Sequence, residues 1–527
     1  MRRLPFIILI FVLFTLLEKN VICMSKNETA IWRDRVKDMF MHAYNSYMNN
    51  AFPQDELKPL SCTGMKTWGN YSLTLVDALD SLYVVGETQE FINGVRYVID
   101  NINFDYNLTV SVFETNIRIL GGLLSTHMLL KYNLLKSDDV DNFDLRGLDK
   151  YQDELLSLAA DLGDRLLLAF DTETGIPFGM VNLKYGVPID ESIITSTAGA
   201  GTFLIEFGVL SSLTGDPKYL RSAKIASQAL FERRSKSLGL VGNHINIRTG
   251  AWTHRDAGIG ASVDSYYEYL FKSYQLFHDE QSLSEFQESY QSIMTNLHKS
   301  PWYYQVDMMT GHTTWPLYNS LQSFWPGIQA QYGVDIQKAQ DTLLAFHGVW
   351  RRYGAVPEGY NLLGAYVQPL EKGYPLRPEL VESIYYMYRV TQDPMYKMMG
   401  RDIVTGLEIN CKTECGFANI KDVETMEKDD RMESFFLSET LKYLYLLYDD
   451  DNFVNNCEEG DQVEGYVMNT EAHLMPIHKT VIEGYQEALR YINDGYVSSG
   501  ALFETCPVPK FFSPLRFGIC QMHYRGT

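Results

Sequence analysis

From about residue 30 to residue 450, apolar residues recur every third or fourth position, the spacing that lays one face of an α-helix against a core. Val36-Met39-Ala43-Tyr47 and Phe113-Ile117-Leu120-Leu124 each predict such a stripe, as do residues 73–85, 155–169, 198–213, 266–277, 381–390 and 435–447. Gly86, Gly215-Asp216-Pro217 and Asp393-Pro394 break the pattern between stripes. Leu213-Thr-Gly-Asp-Pro217 and Thr391-Gln-Asp-Pro394 read as similar turns joining one helix to the next, which hints at a repeated helical hairpin. Alternating strand patterns are scarce. No low-complexity tract or long charge run lies between Val36 and Leu447, so the pattern predicts one large all-α domain. The text after Asp449 is less regular.

The N-terminus departs from this pattern. Arg2 and Arg3 precede the apolar run from Leu4 to Leu17, and Val21 and Cys23 stand where a signal peptidase expects small residues. A charged start, a short apolar core and a cleavage site predict an export signal over residues 1–23. The run is too short for a comfortable span of about 20 residues, and no later segment is long and apolar enough, so no stable membrane span is expected after cleavage. The sequons at Asn27, Asn70 and Asn107 fit that compartment as glycosylation sites. The formal net charge of −21 argues against nucleic acid, whose phosphates need a clustered basic surface. Six cysteines would remain after cleavage, enough for one to three bridges in an oxidising lumen but too few for a disulfide scaffold. Cys411 and Cys415 lack the two-residue spacing of a redox or zinc pair.

The candidate chemistry lies in carboxylates placed among residues that a solvated face would not choose. Beside the apolar stripe of 113–124 runs a second one: Glu114, Arg118, Gly121, Gly122 and Ser125. An exposed Glu–Arg pair four apart is the bland reading. Two helical glycines, each costing about 1 kcal/mol relative to alanine, make sense if something approaches closely. Asp264 sits near a helix start amid glycine and aromatic residues, where capping is the competing role. Glu379 and Glu382 fall on one face behind Pro378, and Glu433 and Glu439 are expected inside an apolar helix. Asn469-Thr-Glu-Ala-His473 gathers hard oxygen groups of the kind that suit calcium. Paired carboxylates with 35 Tyr, 27 Phe and 7 Trp suit a sugar pocket, and glycoside hydrolysis needs one protonated and one charged carboxyl.

At these motifs the chain resembles glycoside hydrolase family 47, the class I α-1,2-mannosidases. The matching phrases are Asp55-Glu-Leu-Lys-Pro59, Leu73-Thr-Leu-Val-Asp-Ala-Leu-Asp80, Phe113-Glu-Thr-Asn-Ile-Arg118, Asp264-Ser-Tyr-Tyr-Glu-Tyr269, Arg377-Pro-Glu379, Met432-Glu-Ser-Phe-Phe436 and Asn469-Thr-Glu-Ala-His473, in order. Gly239-Leu-Val-Gly-Asn-His244 and Phe324-Trp-Pro-Gly327 look most like its ER degradation-enhancing α-mannosidase-like branch. The resemblance implies an (α/α)7 barrel of helical hairpins, here over residues 30–475 with a C-terminal tail over 476–527. It implies an ER-luminal enzyme that removes terminal α-1,2-mannose, with inversion, from high-mannose N-glycans on misfolded glycoproteins and so routes them to degradation; the alternative is a mannose-glycan-binding quality-control factor whose catalytic site is weak or silent. Carried over, Glu114 is the general acid, Glu379 the general base and Asp264 the third acidic residue. Thr470 would bind Ca2+, with Glu382, Glu439 and Glu471 around it, while Arg118, Arg377 and Phe435 line the sugar site. It also implies a Cys62–Cys415 disulfide and an ER oxidoreductase among the partners. The chain departs from the family's processing enzymes at Ser320 (a pocket histidine there), Ser323 (a disulfide cysteine) and Ser262 (an arm-selecting arginine).

Overall fold

The computed structural model describes residues 24–499, except 70, 138–139, 147, 149–150 and 457–462. The predicted export signal and the sequon at Asn70 lie outside the described residues. Asn27 and Asn107 are exposed.

The apolar stripes become helices: α1 (Lys26–Asn50), α2 (Leu73–Val84), α3 (Thr88–Asn101), α4 (Gly121–Tyr132), α5 (Glu154–Leu167), α6 (Leu204–Thr214), α7 (Lys218–Glu232), α8 (Asp264–Phe277), α9 (Glu280–Asn296), α10 (Trp325–Tyr332), α11 (Ile336–Tyr353), α12 (Glu379–Thr391), α13 (Met395–Asn410), α14 (Leu441–Tyr448) and α15 (Lys479–Ser499). The even-numbered helices α2 to α14 are buried nearly all round and form an inner ring. Helices α3 to α13 (odd numbers) lie outside them, each beside the inner helix that precedes it. Helix α1 packs on α14, and the turn before α14 packs on α2, so the last inner helix meets the first and the ring closes. Inner helices read as apolar on every face (Leu441-Lys-Tyr-Leu-Tyr-Leu-Leu-Tyr448), whereas the outer ones are amphipathic, as two concentric layers require. This is an α/α barrel, and among the described residues it has seven inner helices.

The two similar turns work alike. Gly215 after α6 and Gln392 after α12 both adopt left-handed backbone (φ +74° and +57°), and each is followed by an Asp-Pro that opens the outer helix. Three stripes are interrupted. Residues 115–120 widen into a π-helical turn between the Val112–Glu114 turn and α4, and 436–440 do the same before α14. The 198–213 stripe breaks at Thr202-Phe203, because the Thr202 carbonyl accepts from Asn116 Nδ2 (3.0 Å) and its hydroxyl meets Ser265 (2.8 Å).

Short antiparallel ribbons feed the first turns of the inner helices. Three strands that bear on the site are β1 (Ile194–Ser196), β2 (His244–Asn246) and β3 (Trp252–His254). A longer hairpin, β4 (Val463–Met468) and β5 (Leu474–His478), runs inside the ring with β5 wholly buried. Helix α15 follows and caps the outside, with Tyr485 stacked on Phe277 (4.1 Å) and bonded to Asp279 (2.7 Å). Cys62 and Cys415 are disulfide-bonded across 353 residues of sequence. Cys411 is free but buried, and burial pushes its thiol up to about 12, which leaves it unreactive.

The hairpin tip explains the two helical glycines. A Cβ on Gly121 would stand 2.6 Å from Asn469 Nδ2, and one on Gly122 would stand 3.1 Å from the Val76 carbonyl. For Gly121 the close approach is the barrel's own tip loop; for Gly122 it is the α2 backbone at Val76, with His473 of the tip at 3.3 Å. Gly121→Ala is expected to cost about 1–3 kcal/mol in denaturant unfolding, since overpacking must shift the loop or the helix.

Candidate active site

The loop 469–473 is stapled by its own first residue. Asn469 Oδ1 accepts from the Glu471 and His473 amides (2.9 and 2.8 Å), and its Nδ2 donates to the Ile117 carbonyl and Glu206 (2.9 and 2.8 Å). Beneath it lies a fully buried polar centre. Asp80 accepts from Lys442 (2.7 Å), Ser125 (2.9 Å) and the Leu474 amide (3.0 Å), and it faces His473 Nδ1 at 3.3 Å. Lys442 also donates to the Ala472 carbonyl (2.6 Å). His473 Nε2 faces Asp77 at 3.4 Å. Burial opposes a charge on His473, but Asp80 and Asp77 prevail and raise it to about 9. The tip is thus clamped to α2, α4, α6 and α14, and Thr470 is held at the floor of a cavity of about 390 Å³.

That cavity is lined by Glu114, Arg118, Asp264, Arg377, Glu379, Glu382, Phe435, Glu439, Thr470 and Glu471, which the sequence singled out from five separate segments. Asp264 and Glu379 are the first residues of α8 and α12, and Glu114 closes the short turn before the π-helical stretch. Three inner-ring segments therefore present their acids at one end of the barrel. Glu433 does not sit inside the apolar helix where it was expected. It precedes that segment and pairs with Arg431 (2.9 Å) and Asn419 (3.1 Å), because the chain turns at Ser434, whose hydroxyl bonds Asp77.

Two arginines frame the cavity. Arg118 donates to Glu114 (2.9 Å) and Glu471 (2.8 Å), and Arg377 grips Glu358 with both arms of its fork (2.8 and 2.9 Å). Both guanidinium groups stand over Phe435, at 5.4 and 5.8 Å from its ring centre. Arg377 lies 3.9 Å from Glu379 Oε1, while Glu379 Oε2 is buried with no partner. Of the three departures, Ser262 lines the cavity with left-handed backbone (φ +76°), Ser320 bonds Glu358 (3.3 Å) and Ser323 bonds Tyr318 (2.5 Å).

The carboxylates crowd one another. Burial, then the neighbouring Glu268 and Glu379 charges, pushes Asp264 up to about 7. Glu379 also rises to about 7, through burial that outweighs the Arg377 charge. Burial raises Glu382 and Glu471 to about 8 against Lys272 and Arg118, and Glu439 rises well above the usual range through burial and its acidic neighbours. An anionic cluster of hard oxygens around a threonine, with one carboxylate oxygen left without a partner, fits a hard divalent cation such as calcium. Among the described residues no group of three or more His, Cys, Asp or Glu forms a ready-made metal cage.

A pH dependence follows. Groups that keep their protons to about pH 7–8 in the native state, against about 3.8 for Asp264 and 4.5 for the glutamates when unfolded, make the native state bind more protons across that interval. His473, raised from about 6.5 to about 9, adds the same sign in the upper part. Stability in chelator is therefore expected to fall as pH rises from about 5 to about 8. Thermal midpoints at several pH values check this, and added calcium should narrow the gap because it favours the ionised cluster.

Residues that the sequence reading passed over also serve here. Glu268 lines the cavity and pairs with Lys272, which reaches Glu382 at 3.9 Å. Asp264, Glu268 and Lys272 stand four apart on one helix, a spacing that could have flagged them. Glu358 carried no comparable signal, since its partner Arg377 lies 19 residues away in a loop.

A ring of helical hairpins around an acidic, aromatic-walled pocket is a sugar-processing architecture. Residues 39–477 match the model of glycosyl hydrolase family 47. The chain is 53% identical over 449 residues to α-mannosidase I MNS4 of Arabidopsis thaliana, covering 84% of this chain and 69% of that one. It is 47% identical over 461 residues to the human ER degradation-enhancing α-mannosidase-like protein 2, covering 85% and 78%. The solved α-1,2-mannosidase from Trichoderma reesei superposes with a TM-score of 0.75 at 27% identity, covering 85% of this chain and 99% of that one. The chain belongs to glycosyl hydrolase family 47, with relatives in the ER degradation-enhancing branch that its motifs resemble. It is a glycoside hydrolase of the α-1,2-mannosidase kind.

Proposed function

We propose that the protein is an ER-luminal, inverting α-1,2-mannosidase that trims high-mannose N-glycans on misfolded glycoproteins and so routes them to degradation. The observation that carries this reading is the meeting of Glu114, Asp264, Glu379 and Thr470, from distant parts of the chain, in one cavity. Inversion needs a carboxyl that protonates the leaving oxygen and a carboxylate that takes a proton from water on the opposite face. Glu379 is the base, and the Arg377 charge beside it favours its ionised form. Glu114, oriented by Arg118, protonates the glycosidic oxygen, and Asp264 is the third acid, kept protonated toward neutral pH by its surroundings. Phe435 gives the sugar ring an apolar face. Thr470 would hold calcium, with Glu382, Glu439 and Glu471 around it; when bound, calcium supplies positive charge that steadies sugar hydroxyls and the ionised base. The names of the curated relatives support the ER assignment and the glycan class. An oxidoreductase partner, as the resemblance implies, fits a chain that carries a disulfide.

The test is incubation of the full chain, made under oxidising conditions, with a high-mannose glycoprotein and calcium. Mannose release that disappears in Glu114→Gln is expected. No release under any condition, with glycan binding intact, would replace this reading by that of a glycan-binding quality-control factor.

A further inference from the structure

We propose that the β1–β2–β3 ribbon extends the cavity into an outer subsite for a further mannosyl unit of the glycan, carried by His244 and His254. The proposal rests on the α-mannoside reading of the cavity. Ser196, at the end of β1, lines the cavity. Ser196 lies directly opposite His244, and His244 directly opposite His254, in antiparallel pairing. Directly opposed residues project from the same face of a sheet, so both imidazoles share the face that Ser196 turns to the cavity. The contact between the rings agrees, with centroids 4.9 Å apart and planes at 61°.

The ribbon is fixed to the cavity rim. The Thr197 amide donates to the Asn243 carbonyl (2.9 Å), Thr197 Oγ1 to the Gly242 carbonyl (2.5 Å) and the Ala198 amide to the Ser262 carbonyl (2.8 Å). Within this rigid wall, His244 Nδ1 and Asn243 Oδ1 are both buried without a partner. Both atoms lie out of solvent's reach, so the half-buried His244 ring has Nε2 as the nitrogen that can meet a sugar hydroxyl. Ser196 and Ser262 line the cavity, and the row Ser196–His244–His254 leads from it to the exposed surface, a polar series that suits a neutral sugar. Burial, then the His254 neighbour, lowers His244, so its ring stays uncharged at neutral pH and can accept a hydroxyl proton. A nine-mannose glycan seated by one terminal unit leaves its other sugars outside, against this rim.

The experiment uses the full chain in a Glu379→Gln background, so that no sugar is turned over, with calcium present. Calorimetric titration gives affinities for the nine-mannose N-glycan and for an α-1,2-linked mannose disaccharide. In the His244→Ala/His254→Ala variant the ratio of the first affinity to the second is expected to fall about tenfold, in line with the loss of one or two net hydrogen bonds. Glutamine at both positions should restore part of the ratio, because its amide can replace the lost bonds. A ratio that does not move in the double alanine variant, whether both affinities drop together or neither drops, overturns the outer subsite. A parent chain that binds neither sugar overturns the α-mannoside reading and this inference with it.

Discussion

Glu379→Gln is expected to lower kcat by about 10²–10⁴-fold and at the same time to make the protein harder to unfold. The first effect follows from the role argued for this side chain. An amide cannot take a proton from water, and Glu382, the other carboxyl in the first turn of α12, faces Lys272 instead. The second follows from its surroundings. Glu379 carries a buried oxygen without a partner, and its charge helps to raise Glu382, Glu439 and Asp264. A neutral residue of the same shape removes one member of a mutually repelling set. Above about pH 7 the gain is on the order of 1–3 kcal/mol, as a carboxyl raised from 4.5 to about 7 implies. It should appear in thermal unfolding with chelator and shrink when calcium is added, since calcium offsets the same repulsion. A loss of both activity and stability would mean that Glu379 holds the fold together. A gain in stability with lost activity is the signature of a residue kept for chemistry at the expense of the fold.

The division between scaffold and chemistry also decided what could be read in advance. The ring was legible because each inner helix must bury an apolar face, and that demand writes a periodic signal into local sequence. The interruptions were not. The break at Thr202-Phe203 and the π-helical turns at 115–120 and 436–440 arise where polar groups reach across the barrel, to Asn116, Ser265 and Asp77. The acids at helix starts could be located, but capping and catalysis place the same residue types there. Only the closed ring brings Asp264 and Glu379 to the same cavity. Glu358 and the Asp80–Lys442 pair were invisible for a simpler reason: each matters through a partner that is distant along the chain, and 362 residues separate Asp80 from Lys442.

That pair supports the largest expected loss of stability. Lys442→Met is expected to cost about 3–5 kcal/mol in denaturant unfolding, because it leaves a carboxylate without its cation where neither side chain is exposed at all. Burial works against a charge on Asp80, yet Lys442 and His473 overcome it and hold the group well below the usual carboxylate range. With Lys442 gone, His473 alone must compensate, and the Ala472 carbonyl loses its donor. Methionine keeps the volume, so the cost is electrostatic and not a cavity. Adding Asp80→Asn to Lys442→Met should recover part of the loss, by removing the orphaned charge while an amide oxygen still accepts from Ser125 and the Leu474 amide. The two changes should therefore fall short of additivity by about 0.5–3 kcal/mol. Full additivity would mean that the two groups act independently. The pair also clamps the loop that bears Thr470, so the single variant should need more calcium for half-maximal thermal stabilisation. Gly121→Ala, which strains the other side of the same loop, should shift the calcium requirement in the same direction.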